Sequence, residues 1–119
     1  MSPSPQDRAA RIAAELAGLG LALPGTLAQR RVRCGWPGCR CHADPPQLHG
    51  PYWHWTRKRA GKTISRLVPD DQVDDYRQWI ANHRRLRELV AELEDLTLTV
   101  ADERSGYRAR SRRTQQTTR

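Results

Sequence analysis

The sequence predicts a small zinc-stapled α+β domain, in which an N-terminal helix, a short strand, a metal loop and a β-hairpin pack on a long C-terminal helix. Apolar residues recur every three or four positions near both ends of the chain, as they do in amphipathic helices. Aromatic and β-branched residues concentrate between Pro51 and Val68, as they do in strands. Cys34, Cys39 and Cys41 lie between these parts, where a metal can staple a domain too small for a large core.

The first helix is predicted over residues 6–19, after a disordered N-terminus of residues 1–5. Its apolar positions share one face at spacings of three and four, and they are Ala9, Ile12, Leu16 and Leu19. Gly18 and Gly20 end the helix. A short strand follows from Leu27 to Arg33.

The hairpin is predicted over residues 51–68, with its turn near Ala60 and Gly61. Alternation along its first strand places Trp53 and Trp55 on one face and Tyr52 on the other. The chain has no Phe, so at least two of these three aromatic residues are expected to fill the core. The alternative is that they stack on exposed nucleic-acid bases.

The long helix is predicted over residues 71–100 and closes a single domain of residues 6–103. Residues 104–119 form a basic tail that is expected to be disordered. The helix carries an apolar stripe with one polar member, and its positions are Trp79, Asn82, Leu86, Leu89, Leu93, Leu96 and Val100. This stripe either packs on the N-terminal helix of the same chain or forms a coiled-coil homodimer in which Asn82 sets the register.

The cysteine spacing is the strongest chemical signal. Cys34, Cys39 and Cys41 are separated by Gly, Pro and Arg, which suit a tight loop better than a core, and a zinc loop is predicted over residues 34–50. Zinc takes thiolate and imidazole ligands in tetrahedral sites. His49 is the preferred fourth ligand because its loop is long enough to return, His42 is the alternative, and His54 is a weaker third candidate. Four protein ligands make the zinc structural and leave no position for catalysis.

Positive charge is concentrated around this loop and the hairpin. The whole chain has a net charge of +8, and between Arg30 and Val68 only Asp44 is acidic. Such a distribution is typical of a protein that binds a polyanion. Nucleic acid, with DNA favoured, is therefore the expected partner, and the candidate contacts are Arg30, Arg31, Arg33, Arg40, Arg57, Lys58, Arg59, Lys62 and Arg66. The runner-up is a zinc-stabilised module that dimerises or binds protein through its long helix.

Other classes of function find little support in the sequence. No phosphate-binding glycine loop and no nucleophile–base arrangement is evident, so the chain is not expected to be an enzyme. No apolar run approaches the length of a membrane span, and the first residues do not resemble a signal peptide. A cytoplasmic location is therefore expected, and in that compartment clustered cysteines favour metal over disulfides.

The segments PGTLAQRRVRCGWPGCRC, LHGPYWHW and GKTISRLVP, followed by a helix such as QWIANHRRLRELVAEL, resemble a family of small bacterial and phage-associated proteins of unknown function. The resemblance covers about residues 24–96. It implies that Cys34, Cys39, Cys41 and His49 act as one unit, and Trp36 stands where the family commonly has Lys. The hairpin is also similar, more loosely, to the DNA-binding domains of some phage-type integrases. An accessory or regulatory role on a mobile element is the expectation that follows.

Overall fold

The structure, a computed structural model, describes residues 2–106. In chain order its elements are α1 (Pro5–Ala17), β1 (Thr26–Val32), β2 (His49–Arg59), β3 (Lys62–Val68) and α2 (Val73–Ser105). Single 3₁₀ turns occupy Arg40–His42 and Asp70–Gln72. The α+β class predicted from the sequence is confirmed. Of the predicted tail, residues 107–119 lie outside the described residues, and so does the first residue of the predicted N-terminal segment.

Helix α1 begins one residue earlier than predicted, because a capping box closes its first turn. The Ser4 hydroxyl accepts a hydrogen bond from the backbone N–H of Asp7 (3.1 Å), and the Asp7 carboxylate accepts one from the N–H of Ser4 (3.3 Å). Pro5 fits the first turn because its missing N–H is not needed there. Ser4 and Pro5 therefore belong to the cap and the helix rather than to a disordered segment over 1–5. At the other end α1 stops at Ala17, two residues before the predicted end, and Gly18 is its cap.

The three strands form one antiparallel sheet in the order β1-β2-β3. Leu27 pairs with Trp55, and Trp55 pairs with Arg66, so β2 is the central strand. The hairpin turn falls at Ala60 and Gly61, which both have positive φ, as the sequence predicts for this position. Strand β2 starts at His49, so the last two residues of the predicted loop over 34–50 belong to the sheet.

One face of the sheet packs against the first turns of α2. Trp55, Val68, Val73 and Tyr76 form the buried cluster there. The Trp55 indole also donates a hydrogen bond from Nε1 to the carbonyl oxygen of Pro24 (2.9 Å), so its polar edge is satisfied. Alternation of side chains across the strand thus places the tryptophans of β2 toward the helix, as the sequence predicts.

Helix α2 is longer than the predicted 71–100. A 3₁₀ turn over Asp70–Gln72 delays its start to Val73. At the other end no Gly or Pro interrupts the chain before Gly106, which has positive φ, so the helix continues to Ser105. Acidic residues in its first turn complement the helix dipole.

The described chain divides into two compact units. Residues 21–83 form the unit that contains the sheet. In it the Asn82 amide donates to the carbonyl oxygen of Leu21 (2.7 Å) and accepts from Gln78 (2.9 Å). Asn82 therefore has partners within its own chain. The single domain predicted over residues 6–103 stays a prediction, since compact units of one chain can fold as one domain.

The other unit contains α1 and the second part of α2. Leu89 and Leu96 of the predicted stripe are buried, and they line a cavity of about 490 Å³ together with Ile12 of α1. Arg85 pairs with Glu15 of α1, and its guanidinium also reaches two carboxylates of its own helix. These contacts favour packing of the stripe within the chain. The homodimer through residues 71–100 stays a prediction.

Candidate metal centre

The metal centre lies where β1 ends and β2 begins. The register of the two strands shifts after Arg30, and Val32 pairs with His49. Cys34 follows Val32 by two residues, so the pairing brings the first cysteine close to the histidine that opens β2. The intervening segment then has to fold back within a short span. It does so through a turn, in which the N–H of Cys39 donates to the carbonyl oxygen of Trp36 (3.1 Å).

Four ligand atoms converge at this point. The sulfurs of Cys34, Cys39 and Cys41 and one imidazole nitrogen of His49 all lie within 4.8 Å of one another. The Cys34 and Cys41 sulfurs are 3.6 Å apart, and the Cys39 sulfur is 3.2 Å from His49 Nε2. Cys41 is fully buried, and the other three residues are half-buried. The group can therefore bind a metal ion.

Backbone groups orient the sulfurs. The N–H of Cys34 donates to the sulfur of Cys41 (3.3 Å). His42 stands beside the cluster rather than in it, since its Nε2 is 2.8 Å from the carbonyl oxygen of Cys34. A carbonyl only accepts, so Nε2 carries the proton in this contact. His42 thus braces the loop, as outer partners of metal ligands commonly do.

The surroundings of two cysteines shift their thiol pKa values in opposite directions. The pKa of Cys39 is lowered to about 6, chiefly because the backbone N–H of Cys41 donates to its sulfur. Burial raises the pKa of Cys41, because a buried thiolate without a cation loses its hydration. Metal binding requires deprotonated thiols, and the lowered pKa favours the thiolate form of Cys39.

Gly50 allows His49 to reach the cluster, and sequence reasoning did not assign it a role. Its φ is +108°, which favours glycine. A Cβ at this position would lie 2.9 Å from the carbonyl oxygen of Arg30 and 2.8 Å from the backbone nitrogen of Tyr52. Those neighbours are backbone atoms of the sheet and cannot move aside cheaply. A glycine next to a candidate ligand, followed by proline, was the available signal.

Of the three histidines considered as ligands, His49 belongs to the cluster and His54 lies elsewhere. His54 is in the middle of β2, where it pairs with Ala28 and Leu67. Its Nδ1 is buried and has no hydrogen-bond partner among residues 2–106. The preference for His49 over His42 and His54 therefore agrees with where the structure places the three rings.

The predicted nucleic-acid contacts fall into three groups. The first group lies in or next to the metal loop and consists of Arg31, Arg33 and Arg40, whose side chains are exposed. The Arg31 guanidinium donates a hydrogen bond to the carbonyl oxygen of Gly50 (3.4 Å). Arg30 and Lys58 lie on the face of the sheet that points away from α2. The remaining four share the face that points toward α2, and they are Arg57, Arg59, Lys62 and Arg66.

The three aromatic residues of β2 are also divided between the faces. Trp55 is buried and Trp53 is half-buried on the side of α2. The guanidinium of Arg66 lies 5.6 Å from the ring centre of Trp55, and that of Arg77 lies 4.9 Å from the ring centre of Trp53. Tyr52 is 42% exposed on the opposite face. Two of the three thus pack with the core, and one is available to a ligand.

Comparison with family models gives one match, to a domain of unknown function, DUF6788, over residues 5–78. The chain belongs to this family. The DUF6788 match includes all four candidate ligands and the whole sheet, and it extends to α1, which the resemblance noted from the sequence did not cover. Membership of a family of unknown function is thereby confirmed. No curated protein and no solved structure matches the chain.

The structure also bears on membrane association. Within residues 2–106, neither helix is apolar over a stretch long enough to cross a lipid bilayer. Helix α2 has the length but carries charged residues along it.

Proposed function

We propose that this chain is a zinc-stabilised nucleic-acid-binding domain, with DNA as the favoured nucleic acid. The observation that supports it best is the location of both features on one sheet. The strand pairing that gathers the four ligands continues into a hairpin whose charged side chains are all basic. A metal that locks this pairing also holds the cations at fixed spacing, as phosphate contacts require.

Zinc is the metal that best fits the donors. Three thiolates and one imidazole are soft or borderline ligands, which calcium and magnesium avoid. Zinc–sulfur bonds of about 2.3 Å place two sulfurs of a tetrahedron about 3.8 Å apart. The sulfurs of Cys34 and Cys41, 3.6 Å apart, are close to that spacing. Four protein ligands fill the tetrahedron, so the proposed zinc stabilises the fold and does not activate water.

Metal analysis of the purified chain tests this assignment. We expect one zinc per chain, and its loss in Cys39→Ser and in His49→Ala. His42→Ala is the matched control, because it removes an imidazole that touches the loop but not the cluster. This control should keep close to one zinc per chain. Equal zinc loss in both histidine variants would mean that His49 is not a specific ligand.

The proposed nucleic-acid surface is the hairpin end on the side of α2. Arg59 and Lys62 are directly opposite each other, and Arg57 lies two residues before Arg59 on the same face. Like charges that face each other across strands destabilise a sheet. A phosphate backbone would relieve that repulsion. The strands supply no carboxylate that could do so, because β1, β2 and β3 contain neither Asp nor Glu.

The dependence of binding on salt tests this surface. We expect the zinc-loaded chain to bind labelled DNA with an affinity that falls steeply as salt rises, because phosphate contacts release counterions. Arg57→Ala/Arg59→Ala should weaken binding and lower the slope by about 2 on logarithmic axes. Arg84→Ala/Arg87→Ala is the control, since it removes the same charge from an exposed part of α2. If both double variants lose the same affinity, binding follows net charge and the hairpin is not the site.

The second candidate function is a zinc-stabilised protein-interaction or dimerisation module without direct nucleic-acid contact. Two large apolar side chains of α2, Val90 and Leu98, are exposed, at 39% and 61%. They offer contact area to a partner helix. Sedimentation of the wild-type chain and of the Val90→Ser/Leu98→Ser variant tests this alternative. It predicts that the wild type forms an oligomer and that the double variant stays monomeric. A role on a mobile element stays a prediction from the sequence.

A further inference from the structure

We infer that the face of the sheet turned away from α2 binds unpaired nucleic-acid bases. This inference rests on the proposed nucleic-acid binding and names the class of substrate, a single strand. We call this surface the open face, and its residues in the argument are Arg30, Tyr52, His54, Lys58 and Leu67. The strand register defines it, because directly paired residues of antiparallel strands point to the same side.

The open face presents apolar area that the fold does not use. Tyr52 is 42% exposed and Leu67 is 58% exposed, while the opposite face of the same strands packs against α2. Between them His54 pairs with Leu67, and its buried Nδ1 lacks a hydrogen-bond partner within residues 2–106. An orphan nitrogen costs stability, so folding alone does not account for the ring. His54 lies two residues after Tyr52 and on the same side of β2.

The positive charge on the open face favours a negatively charged ligand. Arg30 is directly opposite Tyr52, and Lys58 lies further along β2 on the same side. Both side chains are exposed. With no carboxylate in any of the three strands, an apolar centre edged by cations complements a ligand with flat faces and negative charge. An unpaired strand has both, since its bases expose their π-faces and its phosphates follow at regular spacing.

A duplex fits the open face less well than a single strand does. Paired bases are stacked on each other, so they show a protein only their edges and leave an exposed tyrosine ring nothing to stack on. Sheets with exposed aromatic side chains bind splayed single-stranded bases in other nucleic-acid-binding folds. The open face is therefore assigned to unpaired bases, with Tyr52 as the stacking residue and Arg30 as its phosphate contact.

The test compares an oligothymidine with a duplex of the same length, using the full zinc-loaded chain and fluorescence anisotropy. We expect Tyr52→Ala to weaken single-strand binding about tenfold or more and to leave duplex binding unchanged. Tyr52→Phe keeps the ring and should retain affinity within about twofold. The salt slope for the oligothymidine should stay the same in Tyr52→Ala, because stacking releases no counterions, whereas Arg30→Ala should lower it.

Photo-crosslinking supplies a measurement that needs no variant. An oligonucleotide carrying 5-iodouracil is irradiated on the wild-type chain, and the adduct is located by mass spectrometry. An adduct on Tyr52 supports the inference. Adducts confined to Trp36 or to the hairpin turn would overturn it, as would unchanged single-strand affinity in Tyr52→Ala or equal losses in the Phe and Ala variants. The proposed function survives those results, but it falls together with the inference if neither nucleic acid binds or if the open face captures only a protein.

Discussion

Replacing Gly50 by alanine should be the most damaging small substitution near the metal centre. Gly50 separates the candidate ligand His49 from the rest of β2, and its φ of +108° lies where side chains are strained. A new Cβ would meet two backbone atoms at 2.8 and 2.9 Å. The Arg30 oxygen belongs to the neighbouring strand β1 and the Tyr52 nitrogen to β2 itself, so relief requires β1 to move away and the backbone of β2 to change locally.

The size of the effect follows from two contributions. Positive φ costs an L-residue about 1–2 kcal/mol, and forcing extra atoms into a packed position costs about 1–3 kcal/mol more. The expected loss for Gly50→Ala is therefore about 3 kcal/mol, a large share of the stability of a small domain. Gly61→Ala is the matched control. Its φ is +76°, but its Cβ would meet nothing within 4 Å, so only the first contribution applies.

Urea unfolding of the zinc-loaded chain, followed by tryptophan fluorescence, measures both losses. A third variant, Gly35→Ala, provides the baseline, because Gly35 is in the metal loop and its Cβ would also meet nothing within 4 Å. The expected order of destabilisation is Gly50→Ala, then Gly61→Ala, then Gly35→Ala close to zero. Zinc affinity should fall only in the first. Equal destabilisation by Gly50→Ala and Gly61→Ala would refute the argument that the strand backbones crowd this position.

Three further substitutions have expected outcomes. Asn82→Leu should lower the free energy of unfolding by about 1 kcal/mol, because the carbonyl of Leu21 loses its donor; a tighter dimer in sedimentation would instead indicate a coiled-coil seam. Glu15→Gln should lower the urea midpoint at neutral pH. A hydrogen bond from Arg85 lowers the pKa of Glu15, so this stabilisation is present above the ordinary carboxyl pKa and is lost as the pH falls through the lowered one. Midpoints that differ equally at pH 7 and at about pH 3 would contradict it. Cys41→Ser should lower the melting temperature and abolish the destabilisation that a chelator causes in the wild type.

The helices and the hairpin were predictable because each has a local signal. The period of apolar residues located α1 and α2, and the alternation in YWHW located β2 and its faces. The errors in the prediction fall at the ends of the helices, where one or two hydrogen bonds decide which residue is the first in the helix. The Ser4–Asp7 capping box and the 3₁₀ turn over Asp70–Gln72 moved the helix starts. These contacts move the start of a helix by one or two residues, and the spacing of apolar residues is too coarse to predict so small a shift.

Which basic residues of different strands share a sheet face could not be predicted with the same ease. The sequence places Arg57, Lys58 and Arg59 together as one charged run. In the structure, Lys58 points away from its two neighbours because successive residues of a strand alternate. The open face likewise depends on how β1 and β3 align with β2, and that register is a long-range property. The register of the three strands therefore decides which basic residues share a surface.

The metal site and the sheet stabilise each other. Three ligands come from one loop, whereas His49 belongs to β2, and its pairing with Val32 closes the segment between them. Closing that segment costs chain entropy in the metal-free protein. A bound ion would lower that cost by joining the two ends, so zinc binding and β1–β2 pairing must favour each other by the same free energy. Removal of the metal is therefore expected to loosen β1 first. Within residues 2–106, β1 pairs only with β2, while the β2–β3 hairpin keeps its own turn and its contacts with α2. Amide hydrogen exchange measured with and without a chelator tests this order. We expect the chelator to speed exchange only in the β1–β2 ladder. Equal acceleration in all three strands would mean that the sheet opens as one unit and that the metal site is not specifically linked to β1.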